Sequence, residues 1–408
     1  MQKEKKTTAR IKALLLYSLV SMFLVFEMGV QVSPSVMASN LMHDLNLSAY
    51  ALGIMSGVYF YTYTLMQIPS GLLFDRFKPK IIIVCAITIC SSGALLFGFS
   101  SSFYFGCLAR ILMGLGSAFA FVSVLVIAAD LFESKYFALL TGITQMLAAF
   151  GAVSGQLPVS IMVSHFGWRD TIIFLGLVGL CLAFLVFITL NYETKIKYIS
   201  KANHWTSEII LDLKYILRNN QTWYVALYAC LLWAPMSGFA SLWGVPFLIK
   251  FNHLSSNSAA LYSSMMWLGL AVASPLLGAF STAINNRITP LTLSALLGFL
   301  AFILVVNIHM ASWMLAVLLF IAGAACAGQA LSFAVVTENN SSSVKATAIA
   351  FNNMAVVISG AIFQPLIGKI ISLHGQLNAD SYQEGCFVIL GCYLVAFLIS
   401  ALFIKKLN

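Results

Sequence analysis

From Ile172 to Leu190 the chain reads IIFLGLVGLCLAFLVFITL, one apolar run without a charge. A helix of that length rises about 1.5 Å per residue and crosses most of a bilayer's hydrocarbon core of about 30 Å. In hydrocarbon, backbone N–H and C=O groups must bond within the protein, so spanning segments are helices or closed barrels. Comparable windows recur about twelve times, near 12–40, 50–74, 80–100, 103–129, 137–163, 171–191, 222–250, 257–284, 289–308, 313–336, 345–373 and 383–404. Only 9% of the 408 residues are charged and 61% are hydrophobic, against roughly 25% charged in soluble domains. The expected fold class is an all-α polytopic membrane protein with twelve transmembrane helices. The basic start (Lys3, Lys5, Lys6, Arg10, Lys12) enters a span too long for a signal peptide's apolar region, so the first helix is expected to be retained.

Lys and Arg accumulate on the cytoplasmic side of membrane proteins. Placing the N-terminus inside puts all but Arg110, Arg169, Lys250 and Lys369 of the 22 Lys and Arg residues on cytoplasmic segments. Both termini are then cytoplasmic, and a multi-pass protein of the cell's inner membrane is expected. The net charge of +9 follows from this topology and needs no nucleic acid as partner. The eight cysteines fall in or at the edges of spans without zinc-ligand spacing, and no phosphate-binding glycine loop is present. No metal, cofactor or enzymatic activity is expected, and the working unit is expected to be a monomer in the bilayer.

The chain divides in the middle. Residues 192–220 are its longest polar stretch, where Ile209, Ile210, Leu213, Ile216 and Leu217 recur at helical spacing among basic residues. This reads as a cytoplasmic linker with an interfacial helix, joining six-helix bundles at 1–191 and 221–408. The bundles repeat each other weakly at an offset of about 208 residues: Pro69 and Gly71 match Pro275 and Gly278, and Gln156 and Pro158 match Gln364 and Pro365. A pseudo-twofold arrangement follows from that duplication.

Polar residues are unevenly distributed. The third, sixth, ninth and twelfth spans are nearly free of them and should face lipid. Amides and a carboxylate collect elsewhere: Glu27 and Gln31 in the first span, Gln145 and Gln156 in the fifth, Gln329 in the tenth, and Asn352, Asn353 and Gln364 in the eleventh. Such groups are costly in hydrocarbon unless they meet a partner or water, so they should face a shared cavity. Glu27 is the only acid deep within a span, and Arg110 in the fourth stands at a similar depth. Glu27 is therefore expected to bind a substrate amine or carry a proton with Arg110 as its neighbour, or else to form a structural ion pair with it. Tyr59, Tyr61, Tyr63, Phe239 and Trp267 are aromatic candidates, with Trp233 and Trp243 around Pro235 and Gly238, where the seventh helix is weakened.

Between the second and third spans lies GLLFDRFKPK, Gly71 to Lys80. With the six-plus-six spans, Arg110, Gly114 and Gly116 in the fourth and the glycine-rich fifth, this turn resembles the major facilitator superfamily over nearly the whole chain. The stretches QVSPSVM, YTYTLMQIPSGLLFDR and RILMGLGSAFAF are most similar to bacterial members grouped with the lysosomal dipeptide transporter. The resemblance implies two six-helix bundles around an alternating-access site. It also implies a conformational latch, in which Asp75 caps the eleventh helix and Arg76 pairs with Asp130 at the end of the fourth, within the frame of Gly71 and Lys80. Lys78 and Pro79 depart from the family pattern. The second-half turn keeps Gly278 and Arg287 around Asn285 and Asn286 but has lost its acid, so a second latch of equal strength is not expected.

One carboxylate, one arginine and several amides suit a zwitterion. The favoured reading is a secondary active or facilitative transporter of an amino acid or short peptide, with protons as a possible second cargo. The alternatives are an exporter of cationic or apolar compounds, an organic-anion transporter, and a non-transporting sensor on the same fold. A sugar phosphate is disfavoured, because Glu27 stands where organophosphate exchangers of the superfamily place Arg.

Overall fold

The computed structural model describes residues 2–133, 136–190, 211, 213–341 and 344–405. Of the linker helix expected over 192–220, the greater part lies outside the described residues; 213–217 are helical. The described chain is helical throughout, and its helices assemble into twelve spans, several of them broken. The first consists of Gln2–Val32 and Pro34–Asp44, the second of Ala49–Leu65 and Gln67–Arg76, and the third of Pro79–Gly98. Phe103–Ser117 with Ala120–Leu131 forms the fourth, and Phe137–Ser154 opens the fifth. Leu157–Thr189 completes the fifth and supplies the sixth, the two meeting at Gly167, whose φ of 78° is the left-handed conformation that glycine adopts freely. Asn220–Ala234, Pro235–Trp243 and Gly244–Phe251 make the seventh; Ser256–Ala283 is the eighth and Ile288–Asn307 the ninth. Ser312–Ala325 and Gly328–Glu338 form the tenth, Lys345–Leu373 the eleventh and Ala379–Leu402 the twelfth.

Local chemistry sets several of these ends. At the end opposite the termini, Ser48, Ser102, Ser255 and Asn378 each accept a hydrogen bond from a first-turn backbone N–H, capping the second, fourth, eighth and twelfth spans. Pro34 begins the outer segment of the first span, where its missing N–H interrupts the helical ladder least.

Glycines let the helices approach closely, as bilayer packing demands. A Cβ on Gly155 would lie 2.5 Å from the Gly29 carbonyl, and one on Gly151 2.6 Å from that of Val25, so the fifth span rests directly on the first. Gly114 meets the Tyr59 carbonyl in the same way, and Gly269 and Gly323 lock the eighth span against the tenth.

The apolar core is divided, and the division positions the site. One cluster belongs to the first half alone, near the termini, and holds Leu16, Val20, Phe23, Ile83, Ile87, Val124 and Val186. The other runs without interruption from Val36, Leu41, Leu52 and Met55 of the first half into Phe239, Trp243, Ile367 and Tyr382 of the second. The halves are thus fused at the end away from the termini. There the second and eleventh spans make the most extensive contact between the halves. A Cβ on Gly53 would stand 2.5 Å from the Gln364 carbonyl, Gly368 abuts the Ala49 carbonyl, and Gly360 lies against the Phe60 ring. Three hydrogen bonds reinforce this seal: Tyr50 N–H to Ser372 Oγ at 3.0 Å, Gln156 Nε2 to the Ala240 carbonyl at 2.7 Å and Ser160 Oγ to Asn257 Oδ1 at 2.8 Å.

Candidate substrate cavity

On the terminus-bearing side of the seal a cavity of about 200 Å³ separates the halves. Five amides reach it: Gln31 from the first span, Gln67 from the second, Gln145 from the fifth, Gln329 from the tenth and Asn353 from the eleventh. Aromatic rings make up much of the remaining wall, namely Phe60, Tyr63, Phe121, Trp233, Trp267 and Phe333. Trp233 and Trp267 meet edge to face, with centroids 6.3 Å apart. Asn353 Nδ2 donates to Gln67 Oε1 at 2.6 Å, bridging the halves across the cavity. Among the described residues, no charged side chain lines it.

Seven of the residues expected at the site from sequence therefore converge: Gln31, Tyr63, Gln145, Trp233, Trp267, Gln329 and Asn353. Gln67 was not expected, because it sits beside the charged turn and its neighbours drew the attention. Phe60, Phe121 and Phe333 gave no signal that separates a cavity wall from a lipid-facing ring. Tyr61, by contrast, is turned outward and 47% exposed.

Glu27 and Arg110 are both only 1% exposed and stand outside the cavity wall. The direct pairing expected between them is not what the fold builds. Tyr59 is inserted: its hydroxyl donates to Glu27 Oε1 at 2.5 Å, and its ring lies 4.5 Å beneath the Arg110 guanidinium in a cation–π contact. Arg110 Nη2 also reaches the Ser56 carbonyl at 3.5 Å. Glu27 Oε2 and Arg110 Nε and Nη1 have no hydrogen-bond partner. Tyr63, which does line the cavity, has its ring 6.0 Å from that of Tyr59, so two tyrosines separate the carboxyl from the cavity.

The remaining candidates hold helices together. Gln156 donates to the Ala240 carbonyl, Gln364 Nε2 to the Ser237 carbonyl at 2.7 Å, and Trp243 Nε1 to the Gln364 carbonyl at 2.9 Å. All three meet at Pro235–Trp243, where the seventh span winds as a wholly buried π-helix, a form concentrated at functional sites. Asn352 donates to Ser332 Oγ at 2.7 Å, tying the eleventh span to the tenth.

At the terminus-bearing end, Arg76 closes the second span and Asp130, 3% exposed, lies in the last turn of the fourth. The Asp75 side chain lies outside the described residues. Lys80 Nζ stands 4.8 Å from the Phe187 ring centroid. A Cβ on Gly71 would meet nothing within 4 Å, so packing in this conformation does not demand glycine there. The second-half turn holds more than its sequence suggested. Arg287 Nε pairs with Glu338 Oε1 at 3.1 Å at the end of the tenth span, and Arg287 Nη1 donates to Ser281 Oγ at 3.1 Å. Glu338 stands at the position equivalent to Asp130, so this pair is the second-half counterpart of the one implied between Arg76 and Asp130, and the acid equivalent to Asp75 is still missing from the turn.

Residues 19–364 match the family model described as Major Facilitator Superfamily. The chain belongs to that superfamily. It is therefore a transporter rather than an enzyme. Among similar proteins, the uncharacterized transporter YybO of Bacillus subtilis (strain 168) is 26% identical over 94% of this chain and 93% of its own length. The probable galactarate/D-glucarate transporter GudP of the same organism is 24% identical over 90% of this chain and 86% of its own. The superfamily fold is also seen in a bacterial homolog of the human lysosomal transporter Spinster, crystallised inward-facing and unoccupied, with a TM-score of 0.77, 19% identity and coverage of 97% and 98% of the two chains. The nucleoside transporter NupG superposes with a TM-score of 0.78 and 15% identity over 95% of this chain and 100% of its own.

Proposed function

We propose that this superfamily member carries a small organic solute by alternating access, with the amide-lined cavity as its binding site. The observation behind this is the cavity's position between two halves that, among the described residues, pack glycine-tight at the end away from the termini. The excess of positive charge on the terminus-bearing side supports cytoplasmic termini, and with them an inward-facing state of an inner-membrane protein. Rocking the halves about the cavity would expose it to the other side.

The amino acid or peptide reading rested on Glu27 and Arg110 taking the two ends of a zwitterion. Tyr59 and Tyr63 stand between the carboxyl and the cavity, and about 200 Å³ is small beside the 300–1,000 Å³ typical of larger ligand sites. A peptide is therefore not favoured. The same wall separates Glu27 from a cationic drug, and no lining cation supports a dicarboxylate. Glu27 keeps a role as proton carrier: it is an intramembrane carboxyl with one free oxygen, one tyrosine from the cavity wall.

The test is counterflow in proteoliposomes, using a compound that raises the protein's melting temperature by mass action. Glu27→Gln should preserve counterflow and abolish pH-driven accumulation. Unchanged accumulation would remove Glu27 from coupling, and absence of counterflow by any stabilising compound would remove the transport reading.

A further inference from the structure

We infer that the cavity selects uncharged, ring-bearing solutes that both donate and accept hydrogen bonds. The inference rests on the cavity being the transport site and adds the class of cargo. Its first support is the wall itself: Gln31, Gln67, Gln145, Gln329 and Asn353 each offer an N–H donor and a C=O acceptor. Such a set complements hydroxyl, carbonyl and amide groups of a ligand. It offers nothing to balance a full charge. An ion leaving water for a site without a counter-charge meets a large desolvation penalty, and the buried Glu27 and Arg110 stand outside the wall, each in contact with Tyr59.

The second support is independent. Trp267 lines the cavity, is 1% exposed, and its indole Nε1 is a buried donor with no acceptor. Buried polar groups are ordinarily paired, and an exception calls for an explanation. That nitrogen is closed to solvent in this conformation, so a ligand carbonyl or hydroxyl would supply the missing acceptor once the ring shifts to expose it. The rings of Trp233 and Trp267, crossing at 78°, give two differently oriented faces against which a planar ligand packs. A purely apolar solute would leave unmet every amide group of the wall that the Asn353–Gln67 bond does not satisfy, and a flexible polyol would leave the aromatic faces without a planar partner.

This reading separates the protein from relatives whose names carry dicarboxylates. Galactarate and D-glucarate are dianions, so a protein built for them needs cations that this wall does not present. Overall identity of 24% leaves room for a lining exchanged at every contact.

The test uses pairs of nearly equal shape that differ in charge: nicotinamide against nicotinate, and uracil against orotate, with D-glucarate, phenylalanine and D-glucose alongside. Binding is read from quenching of tryptophan fluorescence and from thermal shift of the purified full chain. Nicotinamide or uracil should bind at least about tenfold more tightly than its carboxylate partner, while the acid, amino acid and sugar bind weakly. Trp267→Phe keeps the ring and removes the N–H, and should weaken the uncharged ligand about 2- to 12-fold, the span of one ordinary hydrogen bond. If that variant fails to fold, Gln145→Glu gives a second reading, because an acid in the wall should weaken the carboxylates further and admit cationic analogues. Equal or tighter binding of nicotinate, orotate, D-glucarate or phenylalanine overturns the inference, as does a panel in which no uncharged ring compound binds. Counterflow separates the two levels. Transport of a charged solute sinks the cargo class and keeps the transporter, whereas tight binding of uracil or nicotinamide without counterflow keeps the ligand class and removes transport.

Discussion

Gly53→Ala should move the conformational equilibrium without touching the cavity. The added Cβ would stand 2.5 Å from the Gln364 carbonyl, 2.9 Å from Pro365 Cα and 3.0 Å from the Gln364 carbonyl carbon. All three are backbone atoms of the eleventh span, so no side chain can swing aside. Restoring ordinary contact at about 3.5 Å requires the second and eleventh spans to part by about 1 Å. Overpacking of this kind costs about 1–3 kcal/mol. Because the contact exists only while the halves are joined at this end, the whole penalty falls on one state, and the population ratio should shift by about 5- to 150-fold toward the opposite state. Spin labels at Tyr104 and Trp313, exposed at the same end on opposite halves, report the change by pulsed electron resonance after Cys85 and Cys181 are replaced by serine. The distance distribution should gain a longer component in Gly53→Ala and none in Gly391→Ala, where a Cβ meets nothing within 4 Å. An unchanged distribution in a Gly53→Ala protein of normal melting temperature would refute the seal as a moving part.

Tyr59→Phe keeps the ring beneath Arg110 and removes the donor to Glu27, leaving both carboxyl oxygens unpaired; a loss of about 1–3 kcal/mol should appear as a lower melting temperature in detergent. Asp75→Asn should slow counterflow with little change in ligand affinity, as the latch implied by the family turn requires. A large affinity loss at normal turnover would instead place Asp75 in the binding site. Glu338→Gln breaks a pair whose partners are 32% and 47% exposed, so its effect on stability should stay below about 1 kcal/mol and fade in high salt; a larger, salt-independent loss would show that the pair works as a coupled element. Gln156→Leu removes a hydrogen bond between the halves and Gln364→Leu one within the second half. The first should alter turnover more than melting temperature and the second the reverse, and matching profiles would contradict this division.

The twelve spans were legible because charge is so sparse that each interruption marks a helix end. Breaks within the first and second spans were not, since Pro34 and Met66 interrupt helices whose apolar pattern continues on both sides. In the cavity, Gln31, Gln145, Gln329 and Asn353 could be found because an amide in an apolar run needs an explanation. The same logic overreached at Gln156, Asn352 and Gln364, whose amide N–H groups are taken by Ala240, Ser332 and Ser237 and which are not among the residues of the cavity wall. A helix offers no free carbonyl in its interior, so a sequence reader assigns every buried amide to water or ligand. Glu27 and Arg110 were placed at similar depth along their own helices, but the rotation of the second span, which drives Tyr59 between them, is set by Gly114 packing under the Tyr59 carbonyl. That is a tertiary fact with no local signature.

Pro235 and Gly238 suggested a weak point in the seventh span, and the backbone there widens into the π-helix of Pro235–Trp243. Widening disturbs the regular ladder and leaves carbonyls to be met by other groups. Two are met by amides that occupy equivalent places in the two halves: Ala240 by Gln156 of the fifth span and Ser237 by Gln364 of the eleventh. The duplicated amides therefore act at one place instead of at two symmetric ones. One bond stays within the second half and the other crosses between halves, so parting the halves at this end must break the Gln156 bond while sparing that of Gln364. The π-helical segment is thus held by Gln364 from within its own half and by Gln156 from the other, and only the second bond lies on the boundary between the halves.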